Sequence, residues 1–308
     1  MSVRFLINPT AGRGKASAAL EIIEPRVGRE HVVVTGGAEH LRQETWRAIG
    51  EGVERVVVAG GDGTAHQVVQ ELAGKRTALA VLPLGSGNDL AATLGMPEDL
   101  REAIEVALTA PVRAMDLGRL GDRYFALYCG FGFDGEVSRT YNEEVRWVRG
   151  PTGYVWAAIR AMMTFKAPVL TLEDDHGTVE EPMMLAVAAN ARRCGGGMQM
   201  APMATINDGW FELITLDAVP RRSILSLLGK VFRGAHLGHP RVHHRTVSRL
   251  RVAADRPLWA YGDGEPLMEI GSEPIDVEMH AKLLRVVSRT GPGQTSNETP
   301  WANGSSSP

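Results

Sequence analysis

Three times in the first ninety residues an apolar run stops at a glycine-bearing turn and a helix-like pattern takes over. Val3–Ile7 runs into NPTAGRGKA, residues 55–59 into GGDGT, and Ala78–Pro83 into LGSGND. A further β-branched run lies at 31–35, and helix-like patterns cover Ala16, Ala19, Leu20 and Ile23 and then residues 41–49. Strand and helix signals in alternation predict a parallel sheet with helices on both faces. Ligands of such sheets gather beyond the carboxyl ends of the strands. The turns at 8–14, 60–64 and 85–88 are therefore expected to meet at one sheet edge.

The pattern changes near residue 119. Short strand-like runs follow at 124–130, 169–172, 184–189, 211–216, 250–253, 258–260 and 275–279, with no regular helices between them. They predict an antiparallel or mixed β region, interrupted by helices near 154–165 and 224–233. Residues 291–308 lack apolar periodicity and are rich in Gly, Pro, Ser, Thr and Asn, which predicts a disordered tail. The expected organisation is an α/β nucleotide-binding domain over 1–118, a mainly-β sandwich-like domain over 119–290 whose end returns to the first domain, and a tail.

A net charge of −3 excludes a polycation, so no nucleic-acid partner is expected. Cys129 and Cys194 give neither a disulfide framework nor a metal-binding spacing and read as buried apolar groups, which fits a reducing cytosol. The amino-terminal apolar run is a five-residue strand rather than a secretory core. No stretch reaches the roughly 18 apolar residues that span a bilayer. The expected location is the cytoplasm, with at most peripheral contact at the inner face of the membrane.

The GGDGT turn carries most of the chemistry. Its glycines allow a tight turn and close backbone approach to a ligand. The helix start behind it offers N–H groups and a partial positive charge suited to phosphate. Asp62 inside that turn would repel phosphate, and a Mg²⁺ ion between the two resolves the conflict. Thr64 and Ser86 carry hydroxyls able to donate to phosphate, while Asn8 either orients its loop or touches the nucleotide. Taken alone, each turn also reads as a simple helix start.

Together, NPTAG, GGDGT and LPLGSGNDLA, followed by MDLG, FALYCGFGFDGEV, INDGWFEL and YGDGEPL, resemble the diacylglycerol kinase catalytic family, especially its soluble bacterial lipid kinases. The resemblance covers about residues 3–288. GGDGT is shared with NAD kinases and phosphofructokinases, whose α/β domain it implies here. LPLGSGNDLA with a late DGE is more restrictive.

The resemblance implies ATP contact by Asn8, Pro9, Thr10, Ala11, Gly12, Thr35, Gly61, Asp62, Gly63, Thr64, Ala65, His66, Gln67, Ser86 and Asn88. It implies that Asp62, Asp89 and Asp116 arrange a catalytic Mg²⁺ and that Glu265 is the general base. It further implies a second, structural metal held by the Asp208 side chain and the carbonyls of Thr205 and Trp210. This chain departs from the family pattern at Ala11, at His66-Gln67 and, mildly, at Ser86, but loses no acid. On residues alone, GDGEP around Glu265 reads first as a hairpin turn. A second DGE at 134–136 is assigned a structural role.

The implied activity is ATP-dependent transfer of the γ-phosphoryl group to a lipid hydroxyl, diacylglycerol first. A sphingoid base, phosphatidylglycerol or a glycolipid stays open as acceptor. So do a soluble-substrate kinase and a catalytically silent, nucleotide-sensing membrane protein. A homodimer is compatible with the resemblance. Residues 219–251 hold eight Arg or Lys and no Asp or Glu, interleaved with apolar groups. They read either as a segment resting transiently on an anionic bilayer or as a solvated helix packed on the β region. Tyr154, Val155, Trp156, Ile159, Met162, Met163 and Phe165 read as an acyl-chain groove or as a core-facing helix.

Overall fold

The computed structural model describes residues 2–144, 151–163 and 165–289. The expected tail over 291–308 lies outside the described residues. The first half follows the order β1 (Val3–Ile7), α1 (Lys15–Val27), β2 (Val32–Val34), α2 (Ala38–Gly50), β3 (Arg55–Gly60), α3 (Asp62–Leu72), β4 (Ala78–Pro83), α4 (Asp89–Thr93) and α5 (Leu100–Thr109). Strands β2, β1, β3 and β4 lie side by side, all parallel. Residues Val56, Val57, Val58, Leu79, Ala80 and Leu82 are buried, as strands covered on both faces must be.

The second half is β5 (Val112–Leu120), β6 (Arg123–Phe125), β7 (Tyr128–Gly132), α6 (Phe133–Glu144), α7 (Pro151–Met162), β8 (Val169–Asp174), β9 (Gly177–Ala189), β10 (Phe211–Asp217), α8 (Arg221–Val231), β11 (Val242–Val247), β12 (Arg249–Ala254), β13 (Leu258–Gly262), β14 (Glu265–Ile270) and β15 (Ile275–Val287). The long strand β9 joins two antiparallel sheets. Its first part pairs with β8 and its last part with β7 and β10. The sheets close face to face over a core that includes Phe131, Leu172, Phe211, Leu250 and Val252, with the Phe125 and Phe211 rings stacked at 5.7 Å. This is the expected β-sandwich-like architecture beside a parallel α/β sheet. Strand β15 links the two, pairing with β12 at its start and parallel to β4 near its end.

Several local expectations need correction. The run 124–130 is not one strand. It splits into β6 and β7 because the amides of Ala126, Leu127 and Tyr128 turn to the Asp263 carboxylate instead of to a neighbouring strand. The basic segment 219–251 is not a single amphipathic stretch. Ile224, Leu227 and Val231 of α8 are buried, and residues 242–247 form β11 against β10. Four of its cations find acids on neighbouring strands or the turn after β8: Arg241 with Asp217, Arg245 with Asp174, Arg249 with Asp175, and Arg251 with Glu173 and Asp276. The side chains of Arg221, Arg222 and Leu225 lie outside the described residues.

Helix α7 is neither wholly core nor groove. Ala157, Ala158 and Ala161 are buried, whereas Trp156 (48%), Ile159 (41%) and Met163 (62%) are exposed. Met162 is partly buried, and Phe165 packs on Phe133 at 5.4 Å. The side chains of Tyr154 and Val155 lie outside the described residues. Cys129 and Cys194 are both buried.

Candidate active site

Strands β1, β3 and β4 end at the same level, with Ile7 opposite Ala59 and Gly60 opposite Pro83. The three glycine turns therefore leave the sheet together and touch. A Cβ on Gly85 would lie 2.5 Å from the Gly61 Cα, and one on Gly12 would lie 2.4 Å from the Leu84 carbonyl oxygen. Only glycine permits these approaches, and Gly12 also has φ of +66°. Asn8 takes the orienting role: its Nδ2 donates to Thr64 Oγ1 at 3.0 Å, and its Oδ1 accepts from the Thr10 amide and hydroxyl.

The loops form one wall of a cavity of about 720 Å³. Asn8, Thr10, Ala11, Gly12, Gly61, Asp62, Gly63, Thr64, Ser86 and Asp89 line it. Lys15 joins them from the start of α1 and adds a cation that sequence reasoning missed, although GRGK stands in plain view. Helix α3 begins at this wall, so its first amides have no intrahelical acceptor.

The opposite wall comes from the second half: Tyr128, Ser138, Tyr141, Gly195, Gly196, Asp263, Gly264 and Glu265. Glu265 begins β14 and lies against the first turn of α3, where a Cβ on Gly63 would sit 2.6 Å from its Oε1. Burial pushes the Glu265 carboxyl above its ordinary value, opposed by the nearby His66 and Arg123. Asp62 is pushed up to about 6, first by burial and then by the charge of Asp89. Asp89 is itself raised by burial and spends both oxygens on the amides of Gly196 and Gly197, at 2.6 and 2.9 Å. It thereby fixes the glycine loop of the far wall.

Asp263 is the group that sequence reasoning passed over. At the tip of the β13–β14 turn, with φ of +54°, its carboxylate accepts from the amides of Ala126, Leu127 and Tyr128. His66 Nδ1 lies 3.1 Å from the same carboxylate. An Asp-Gly pair inside GDGE was the available signal, since Asp tolerates the left-handed turn conformation. Five residues link the turn carrying Glu265 to α3 and the break before β7.

Two family models tile the chain: the diacylglycerol kinase catalytic domain over residues 2–120 and the YegS C-terminal NAD kinase beta sandwich-like domain over residues 128–288. The "Probable lipid kinase YegS-like" protein of Chromohalobacter salexigens is 34% identical over 212 residues, spanning 64% of this chain and 67% of that protein. A diacylglycerol kinase of Mycobacterium tuberculosis is 28% identical over 294 residues, spanning 92% of this chain and 94% of that protein. The chain belongs to the diacylglycerol kinase and YegS-like lipid kinase family. The crystal structure of a diacylglycerol kinase from Bacillus anthracis str. Sterne shares the fold, with a TM-score of 0.76 at 21% identity over 94% of this chain and 97% of that one.

Not every residue implied by the family resemblance reaches the cavity of this YegS-like chain. Thr35 is buried and bonds Ile7 through its hydroxyl. Ala65 packs in the core, and His66 is held between Asp263 and Gln70. Gln67 faces solvent, Pro9 is exposed, and Asn88, with φ of 56°, donates to the Gly85 carbonyl. Asp116 stands apart from Asp62. It is fully enclosed and accepts from the amides of Gly209 and Lys282 at 2.7 and 2.6 Å. That places it beside the loop of Thr205, Asp208 and Trp210, where Asp208 accepts from the Trp210 amide at 3.1 Å. Loss of hydration, with the charges of Asp116 and Glu212, raises the Asp208 carboxyl. Among the described residues no three His, Cys, Asp or Glu side chains form a metal cage.

Proposed function

We propose that this chain is an ATP-dependent lipid kinase that phosphorylates a lipid hydroxyl, diacylglycerol first. The observation that carries this reading is the position of Glu265. A buried carboxyl with a raised proton affinity sits across one cavity from three backbone loops suited to phosphate. Phosphoryl transfer asks for positioning, charge neutralisation and a destination for the hydroxyl proton. The amides at the start of α3, the loop at 85–88 and Lys15 hold the triphosphate. Glu265 takes the proton from the acceptor hydroxyl. Because its carboxyl is raised, the acid limb of the activity profile lies above the ordinary glutamate value.

Asp62 is the residue to hold Mg²⁺, together with phosphate oxygens and water, as that ion prefers. Asp62 is a buried carboxyl whose ionisation is made costlier by the charge of Asp89, a surplus of negative charge that fits a divalent cation. Bound there, the ion supplies charge neutralisation on the phosphates. Asp89 acts instead by holding the 195–197 loop. The second cation belongs to Asp208 with the carbonyls of Thr205 and Trp210, supported by the surplus of negative charge around Asp208.

Peripheral membrane docking belongs to the same proposal. No helix among the described residues is long and apolar enough to cross a membrane. Support for docking comes from the exposed Trp156, Ile159 and Met163, with the exposed cations Arg160 and Lys166 nearby. Sedimentation with anionic vesicles checks it: a double Trp156→Asp, Ile159→Asp variant stays in the supernatant while the parent chain pellets. The kinase reading is tested by incubating the chain with radiolabelled ATP and a lipid extract, then identifying the product by mass. A labelled phospholipid is expected. Label only in soluble acceptors overturns the reading.

A further inference from the structure

Ser138 lies in the second turn of α6, at 2% exposure, on the cavity wall shared with Glu265. Its Oγ has no hydrogen-bond partner among the described residues. A helical serine usually satisfies its hydroxyl on the carbonyl one turn back, and buried hydroxyls without partners are rare. Ser138 lines the cavity while its Oγ is closed to solvent, so a partner entering there meets the hydroxyl when the side chain turns toward it.

The helix cannot drift away from this position. Gly135, one turn earlier, packs so close to β13 that a Cβ there would lie 2.7 Å from the Trp259 carbonyl oxygen. Strand β13 leads directly into the turn that carries Asp263 and Glu265. Residues 135, 138 and 141 fall on one side of the helix at three-residue spacing. The first grips the sheet, and the next two line the cavity. Ser138 is thus fixed relative to Glu265 rather than to the phosphate loops on the far wall.

We propose that Ser138 is an acceptor-binding residue that donates its hydroxyl hydrogen to an ester carbonyl oxygen next to the reacting alcohol, selecting glycerolipid esters over alcohols that lack that carbonyl. This rests on the lipid-kinase reading and adds to it the feature that the site recognises. The group is a neutral donor in a buried place, so it suits a carbonyl, a strong acceptor without charge. It is distinct from the proton acceptor Glu265, and its removal leaves the base intact.

The test compares the full-length chain with its Ser138→Ala variant on two acceptors in mixed micelles: a short-chain 1,2-diacylglycerol and the matched 1,2-dialkylglycerol diether. The parent prefers the diester. Ser138→Ala raises the KM for the diester about tenfold, the worth of one buried hydrogen bond, and leaves the diether and the KM for ATP unchanged. Ser138→Cys, which keeps the volume but donates weakly, shows the same selective loss and serves if the alanine variant folds poorly. Equal losses on both acceptors, no loss on the diester, or a change in the KM for ATP overturns the role of Ser138 alone. A parent chain that turns over neither glycerolipid removes the lipid-kinase reading and this inference with it.

Discussion

The two walls of the cavity are built in different ways. The phosphate-side wall is local: each loop follows its strand within a few residues, and three loops meet because three parallel strands end together. The acceptor-side wall is assembled from distant stretches. A turn at 263–265, a helix starting at 133 and a glycine loop at 195–197 share no sequence neighbourhood. They are joined by carboxylates that spend their oxygens on backbone amides, Asp263 on the break before β7 and Asp89 on the loop at 196–197. One wall is set by strand geometry and glycine, the other by buried acids acting as clamps.

Substitutions separate the two constructions, and the largest effect belongs to Glu265. Glu265→Gln lowers kcat by about 10²–10⁴-fold, the usual worth of a positioned base. Binding of a fluorescent ATP analogue stays near the parental value, because the phosphate wall is untouched. Asp263→Ala strands three backbone amides and costs about 3 kcal/mol of stability, read from urea unfolding. If the acceptor wall were as self-sufficient as the phosphate wall, that loss would be small.

Gly85→Ala drives a methyl into the Gly61 backbone and costs about 1–3 kcal/mol of overpacking strain. ATP affinity falls in this variant, as isothermal titration reads, with little change in the KM for lipid. Asp62→Asn acts in the opposite direction on stability. The folded Asp62 holds its proton up to about pH 6, whereas an unfolded aspartate releases it near 3.8. The metal-free parent therefore loses stability as pH rises through that window. Asp62→Asn removes the loss, gaining about 1–3 kcal/mol at neutral pH while abolishing stabilisation by added Mg²⁺. Unfolding midpoints at both ends of the window check this. The smallest effect is Arg241→Ala, a surface ion pair worth about 0.5 kcal/mol or less.

This contrast also explains what was legible in the sequence. A strand that stops at glycine and restarts as a helix announces its fold, so the meeting of the three turns followed from residues 3–89 alone. Glu265 was legible only through family likeness, because nothing in GDGEP says that Gly63 lies beside it. Asp116 joined Asp62 and Asp89 through the family likeness alone, and nothing in MDLG says that its two oxygens accept from the amides of Gly209 and Lys282. The basic run at 219–251 left two readings open, a segment resting on a bilayer and a solvated helix packed on the β region. It contains no acid of its own, but the acids of β8 and β10 reach it across the sheet. Charge read along a chain overstates the charge that the fold leaves to solvent.

The return of β15 to β4 has a consequence for how the molecule comes into being. The outer edge of the parallel sheet is closed by Val286, a residue translated some two hundred positions after Leu79 with which it pairs. A nascent chain emerging from the ribosome presents the phosphate loops early, yet on a sheet whose flank stays open until the last strand arrives. Contacts of such long range slow the final assembly step. They also couple ligand-binding competence to completion of the polypeptide, so a product terminated before β15 would lack a finished nucleotide platform even though every loop residue is present.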